Sequence, residues 1–307
     1  MTADSPTITI FSPWSESAEE ERTMANVRII TDVTAHLEPE TRERHKITAL
    51  PVEIRFGDEI FVMGQGDGQE RLFRRMAEDP AQSSVATIPA ALFQETYARL
   101  NRETEEILVL VASSQLSGAY EQARLAARSF LGRCRITVLD SMSASWGLGL
   151  MVKGAARSAA RGHGLDEVVR RVRGLMPHIY LVFFVERLDY LERGGRVGPA
   201  QALLGTMLQI KPLLLMEDGD IVPLEKVRTR QAAVEKLADF VAEFASIEQV
   251  LILRSPVENE INELVGKLRE QLHLALPDQK FPSLAYDPIL ACHLGPEALG
   301  VVVYEGM

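Results

Sequence analysis

A chain of 307 residues, 46% of them hydrophobic, can bury a large core and has the length of about two domains. Its formal net charge of −10 argues against a nucleic-acid binder, which needs a basic face to displace the counterions of phosphates. The only cysteines, Cys134 and Cys292, lie far apart without metal-ligand spacing, so no disulfide framework is implied and reduced thiols in a cytoplasmic compartment are expected.

Residues 1–26 have neither a basic n-region nor an apolar h-region, and they end in an acidic run. They read as a poorly ordered tail rather than a secretory signal, with Met24 as an alternative start. No stretch reaches the roughly 18 consecutive apolar residues of a membrane span.

The globular pattern opens with a strand at 27–30, whose carboxyl end carries Thr31, Asp32 and Thr34. A second strand is expected at 47–56, then a Gly-rich turn, a helix at 70–78 and another at 93–100. Residues 107–112, ILVLVA, form an unbroken apolar run, the mark of a parallel strand covered on both faces. The run breaks into Ser113, Ser114, Ser117 and Gly118. Ala119, Ala123, Ala126, Ala127 and Phe130 then recur at helical spacing, so a helix starts near Ser117. The free N–H groups of a first helical turn and the positive end of the helix dipole make this joint a seat for a carboxylate or phosphate. An ordinary N-cap role for Ser117 accounts for the same residues equally well.

A strand at 135–139 ends in DSMSASWGLG and leads into a small-residue helix at 146–161. Strands alternating with helices over 27–175 imply a parallel, doubly wound sheet. Its Ser/Thr/Asp loops at 31–34, 113–118 and 140–145 then share the carboxyl edge, where ligands gather. From 176 the pattern changes. A strand at 179–185, a hairpin of 213–216 and 221–227 around EDGD, a helix at 231–244, a strand at 250–253, a helix at 259–272 and strands near Ile289 and Val301 describe a second α/β domain over 176–307 with a mixed sheet. A cleft between the two domains is the default ligand site.

Catalytic motifs are absent from the sequence. It has no G-x-x-x-x-G-K-[ST], G-x-S-x-G or H-E-x-x-H, and none of the six histidines has a second ligand at metal spacing, so no metal or cofactor is expected. GQGDG at 64–68 lacks the strand-to-helix setting of a phosphate loop. His293 follows an apolar run and precedes Leu294-Gly295-Pro296, a tight-turn signal expected to lead into a short helix. A lone histidine there is more often structural than ligand-binding.

Five segments together resemble the DegV family of bacterial fatty-acid-binding proteins: VRIITDVTAHL (27–37), ASSQLSGAYEQARLAA (112–127), ITVLDSMSASWGLGL (136–150), LDYLERGGRVGPAQALLGTMLQIKPLLLMEDGDIVPLEKVRTR (188–230) and HLGPEALGV (293–301). Their order and spacing span nearly the whole chain from residue 27. The resemblance implies a two-domain α/β protein that holds a long-chain fatty acid such as palmitate between its domains. The carboxylate would be gripped by Ser113, Ser114, Ser117 and Gly118 of the S-S-x-L-S-G turn. The family's second hydroxyl-rich loop is matched by SSVATIP, which makes Ser84, then Thr87, the best equivalents. Thr31 belongs to the first loop, which departs from the family pattern at Val33 and His36. His293 matches a family histidine near the head group. Arg196 matches an arginine at the site mouth or at a partner surface. By the same resemblance the chain is a non-catalytic carrier: it meets membranes transiently and presents the acid to the catalytic subunit of a separate fatty acid kinase, which forms an acyl phosphate for phospholipid synthesis. Residues 147, 149 and 154–156, all Gly or Ala, would leave room for the tail or simply let helices pack closely. Two other readings stay open: a Ser117 nucleophile with His293 as base and Asp32 or Asp140 as orienting acid, and a binder of a small phosphorylated metabolite.

Overall fold

The computed structural model describes residues 27–64, 69–78, 83–195, 199–200, 210–256 and 259–306. The tail 1–26 with Met24, residues 65–68 of the Gly-rich segment, and Arg196 lie outside them. The N-terminal part runs β1 (Val27–Asp32), α1 (Pro39–Arg44), β2 (Thr48–Leu50), β3 (Val52–Phe56), β4 (Glu59–Met63), α2 (Gln69–Glu78), β5 (Ser83–Val85), α3 (Ala90–Leu100), β6 (Glu106–Val111), α4 (Ala119–Ala127), β7 (Arg135–Asp140), α5 (Ser145–Ala160) and α6 (Leu165–Leu175). The second part follows with β8 (Ile179–Phe184), α7 (Asp189–Arg193), β9 (Lys211–Glu217), β10 (Asp220–Val227), α8 (Arg230–Ala242), β11 (Gln249–Arg254), α9 (Asn259–Ala275), β12 (Ser283–Ala285), α10 (Pro288–Leu294) and β13 (Leu299–Tyr304).

The first sheet is all-parallel, in the order β2-β1-β6-β7. Side-chain alternation along β6 sends Ile107, Val109 and Val111 into one core with Phe93 and Tyr97 of α3 and Ala119, Ala123 and Ala126 of α4. Leu108 and Leu110 go the other way, to Leu148, Met151 and Val152 of α5 and Val168 and Val172 of α6. Helices cover both faces, which is why 107–111 contains no polar residue. From β1 the chain moves to β2 on one side and later to β6 on the other, so a topological switch point lies between β1 and β6. A small antiparallel sheet, β4-β3-β5, is attached to this part.

The second sheet has six strands in the order β10-β9-β8-β13-β11-β12, all neighbours antiparallel except β11 and β12. Along β8, Val182 and Phe184 pack beneath Val234 and Leu237 of α8 and Leu268 of α9. Leu181 and Phe183 face the opposite way and join the core that holds α3 and α4. One hydrophobic cluster therefore passes from the first sheet to the second. The β9–β10 hairpin adds a polar tie: its turn residues Asp218 and Gly219 have φ of 49° and 86°, as the EDGD signal demands, and Ser113 Oγ donates to the Gly219 carbonyl at 2.7 Å.

Several elements differ from the sequence expectation. The strand expected at 47–56 is two strands in different sheets, because Pro51 between them has no N–H to continue a ladder. The strand expected near Ile289 is helix α10. Asp287 caps it by accepting from Leu290 N–H at 2.9 Å, and Pro288 fills its first position. The short helix therefore precedes Gly295 rather than following it. Helix α4 begins at Ala119 with Gly118 as its N-cap, slightly later than expected.

Candidate functional site

A cavity with about 830 Å³ of empty space, part of it open to solvent, lies over the carboxyl ends of β1 and β6, at the switch point, where ligands of open α/β sheets gather. The first sheet contributes Asp32 at the end of β1, Ala112 and Ser117 after β6, and Ala144 and Ser145 after β7. The second sheet contributes Leu181, Phe183, Met216 and Ile221. Helix α10 adds Ile289, Leu290, His293 and Leu294, and the β5 region adds Val85, Thr87 and Ile88. Most of this lining is aliphatic or aromatic, with a few polar groups among it.

Of the residues singled out in the sequence, Ser117, Thr87 and His293 line this one cavity. Ser117 N–H donates to the Ser113 carbonyl at 2.9 Å, and Ser117 Oγ accepts from Ala119 N–H at 3.2 Å. The hydroxyl thus helps to cap α4 while its own proton stays available to donate. Gly118 acts through what it lacks: a Cβ there would stand 2.8 Å from Thr87 Cγ2 and 3.0 Å from Thr87 Oγ1. Glycine lets the start of α4 approach Thr87 closely.

Ser84, Ser114 and Thr31 are placed elsewhere. Ser84 is exposed, and alternation along β5 turns it away from the side on which Val85 meets the cavity. Ser114 N–H donates to the Asp140 carboxylate at 3.2 Å, and the residue does not line the cavity. Thr31 is fully buried on the face of β1 opposite to Asp32. The small residues of α5 serve helix packing: a Cβ on Gly149 would sit 2.3 Å from the Ala35 carbonyl oxygen, and one on Gly154 would sit 2.5 Å from Leu175 Cδ1. Ala155 and Ala156 lie in the core beneath α5.

The cavity also gathers Asp32 and Thr34 of the 31–34 loop and Ser145 of the 140–145 loop, together with His36 and Asp287, which the sequence did not single out for it. His36 Nε2 lies 3.5 Å from Asp287 Oδ2, joining the first loop to the cap of α10. Asp32, His36 and Asp287, with Arg42, also line an adjoining cavity of about 600 Å³. The Asp-Pro pair at 287–288, a start signal for a helix, was the clue that would have placed α10 and its cap here.

Asp32 is 2% exposed, and its carboxylate accepts from Thr34 N–H, Thr34 Oγ1 and Ala112 N–H. Burial outweighs these hydrogen bonds and holds the carboxyl above the usual carboxylate range. The folded chain then keeps a proton that the unfolded chain has lost. This contribution to stability is present below the unfolded value near 3.8 and is lost as pH rises through the folded value. The urea midpoint of wild type minus that of Asp32→Asn is expected to fall with rising pH above that point and then level off. A difference independent of pH would show that Asp32 carries no such linkage.

The two acids named in the sequence as orienting groups bond to backbone: Asp32 accepts from Thr34 and Ala112 N–H, and Asp140 from Ser114 N–H and from Met142 N–H at 2.9 Å, while Asp287 faces His36. Burial pushes the Cys292 thiol up to about 12, so it stays protonated and a poor nucleophile. Among the described residues no group of three or more His, Cys, Asp or Glu side chains is arranged to hold a metal ion, and no helix is long and apolar enough to cross a membrane.

Comparison with known proteins bears directly on this geometry. The family model described as "Uncharacterised protein, DegV family" matches residues 26–306. A DegV domain-containing protein of Streptomyces coelicolor is 34% identical over 288 residues, covering 91% of this chain and 98% of that protein. Among solved structures, a DegV family protein from Thermus thermophilus, described for its fatty acid binding, superposes with a TM-score of 0.80 at 27% identity, over 92% of this chain and 100% of that one. A DegV family protein from Streptococcus agalactiae shares the fold with a TM-score of 0.82 at 23% identity, over 92% of this chain and 99% of that one. With the family model spanning nearly the whole chain and the fold shared along its length, the chain belongs to the DegV family.

Proposed function

We propose that this protein binds one long-chain fatty acid, such as palmitate, in the cavity between its two sheets, with residues 27–175 and 176–307 acting as two lobes around it. The carboxylate is held at the start of α4 by Ser117, with Thr87 and His293 beside it, and the tail lies along Leu181, Phe183, Met216 and Ile221. The observation that carries this reading is a cavity lined mostly by apolar side chains, with hydroxyls gathered at a helix N-terminus. The fatty acid binding described for the Thermus thermophilus relative supports it. A small phosphorylated metabolite would call for a more polar lining. A Ser117 nucleophile would need its base oriented by an acid, and Asp32 and Asp140 already accept backbone N–H groups.

Magnitudes divide the labour between tail and head. Burying about 14 methylenes at about 0.8 kcal/mol each gives roughly 11 kcal/mol gross, against about 1.5–3 kcal/mol for one charge-assisted hydrogen bond. The tail sets affinity and the head site sets orientation. We further assign the chain the role of a non-catalytic, cytoplasmic carrier. It takes up and releases the acid in brief contacts with membrane and presents it to the catalytic subunit of a fatty acid kinase.

The test is calorimetric titration of delipidated protein with hexadecanoate. Saturable binding of one acid per chain is expected, weakened about tenfold in Ser117→Ala. Wild-type protein that takes up no hexadecanoate would refute the proposal.

A further inference from the structure

Ser145 combines two costs at the cavity wall. It is the first residue of α5, has φ of 54° without being glycine, and is 2% exposed. Its Oγ is buried and has no hydrogen-bond partner among the described residues. A left-handed backbone is unfavourable for a residue with a Cβ, and a buried hydroxyl without a partner forfeits its hydration. Glycine would relieve both costs, and alanine the second alone. Neighbouring serines are satisfied: Ser113 Oγ bonds the Gly219 carbonyl, Ser117 Oγ accepts from Ala119 N–H, and Ser141 Oγ donates to the Ser143 carbonyl. A strained residue with an unmet polar group beside a ligand cavity is the pattern expected where the partner is the ligand.

The setting suits an oxyanion. Helix α5 is 16 residues long, and its N-cap, Ala144, is extended, offers no side-chain cap and lines the same cavity. The positive end of this helix therefore adjoins the lining without a side chain to neutralise it. Its loop is fastened to the Ser117 loop, because Ser113 N–H donates to the Ser143 carbonyl at 2.9 Å. Two helix starts, each with a serine, thus stand over neighbouring parallel strands.

We infer that Ser145 is a second carboxylate ligand, its hydroxyl donating to one oxygen of the bound fatty acid while Ser117 donates to the other. This inference rests on the fatty acid reading above. A carboxylate, with two equivalent oxygens, satisfies both helix starts, whereas a primary alcohol satisfies one.

The experiment titrates delipidated wild type, Ser145→Ala and Ser145→Gly with hexadecanoate and with hexadecan-1-ol, and records the melting temperature of each empty protein. Hexadecanoate affinity is expected to fall about tenfold in both variants, with hexadecan-1-ol affinity changed less than about threefold. The empty variants should melt at or above wild type, because strain or an unmet hydroxyl has been removed. Unchanged hexadecanoate affinity in folded variants would overturn the role of Ser145 and leave the carrier reading standing. Equal losses for acid and alcohol, together with a lower melting temperature, would also overturn it by assigning Ser145 a structural part. Failure of wild type to bind either lipid would overturn both readings.

Discussion

Replacing Ile221 by tryptophan is expected to weaken hexadecanoate binding by about two orders of magnitude while leaving the protein folded. Ile221 is 3% exposed, lines the cavity, and sits on β10, the outer strand of the second sheet. Directly across the ladder is Met216, another lining residue, so this position contributes to the wall rather than to the deep core beneath α8. The added volume of an indole has one place to go that does not disturb packed neighbours, the cavity itself. Excluding three or four methylenes at about 0.8 kcal/mol each costs about 3 kcal/mol, a factor of more than about a hundred in affinity. Overpacking in a filled core would instead cost about 1–3 kcal/mol of stability. Titration with hexadecanoate and a thermal melt separate the two. Full affinity in a folded Ile221→Trp protein would mean that the tail lies elsewhere.

Gly219→Ala should be the most damaging single-atom addition at the junction of the two sheets. Gly219 has φ of 86°, and a Cβ there would lie 2.7 Å from Ser113 Oγ and 3.4 Å from Met142 Cα. A left-handed conformation costs roughly 1–2 kcal/mol for an alanine, and displacing the buried Ser113 hydroxyl from the Gly219 carbonyl adds about 1–3 kcal/mol. The sum lowers the melting temperature by about 10 °C at roughly 2–4 °C per kcal/mol. The same hairpin carries Met216 and Ile221, so hexadecanoate binding should weaken in parallel. Asp218→Gly, one residue earlier and also at positive φ, should be nearly neutral and serves as the control. A melting temperature for Gly219→Ala within about a degree of wild type would show that the hairpin tip does not hold the sheets together.

Much of this arrangement was legible before any coordinates. The unbroken run ILVLVA announces a strand covered on both faces, and β6 is such a strand. The serine turn after it marks the edge where the cavity opens, and EDGD marks a hairpin whose turn has the positive φ angles it predicts. Ser117, Thr87 and His293, distant in sequence, share the cavity through positions in loops and a helix that periodicity alone could not bring together. Ser84 shows the limit: the hydroxyl-rich segment was recognised, but a three-residue strand sets which of its side chains face inward, and the β-period places Val85 there instead. Helix α10 stands where the sequence suggests a strand, because a short, mostly apolar run does not distinguish the two and the Asp-Pro cap decides the matter. His36 and Asp287 meet only through tertiary contact, so no local pattern could pair them.

A cavity that serves as a fatty-acid slot should come out of the cell lysate already filled. Protein purified without detergent, denatured and extracted into organic solvent should release one long-chain fatty acid per chain, identified by mass spectrometry. An extract free of fatty acid, from a protein that afterwards takes up none from solution, would contradict the fatty-acid reading.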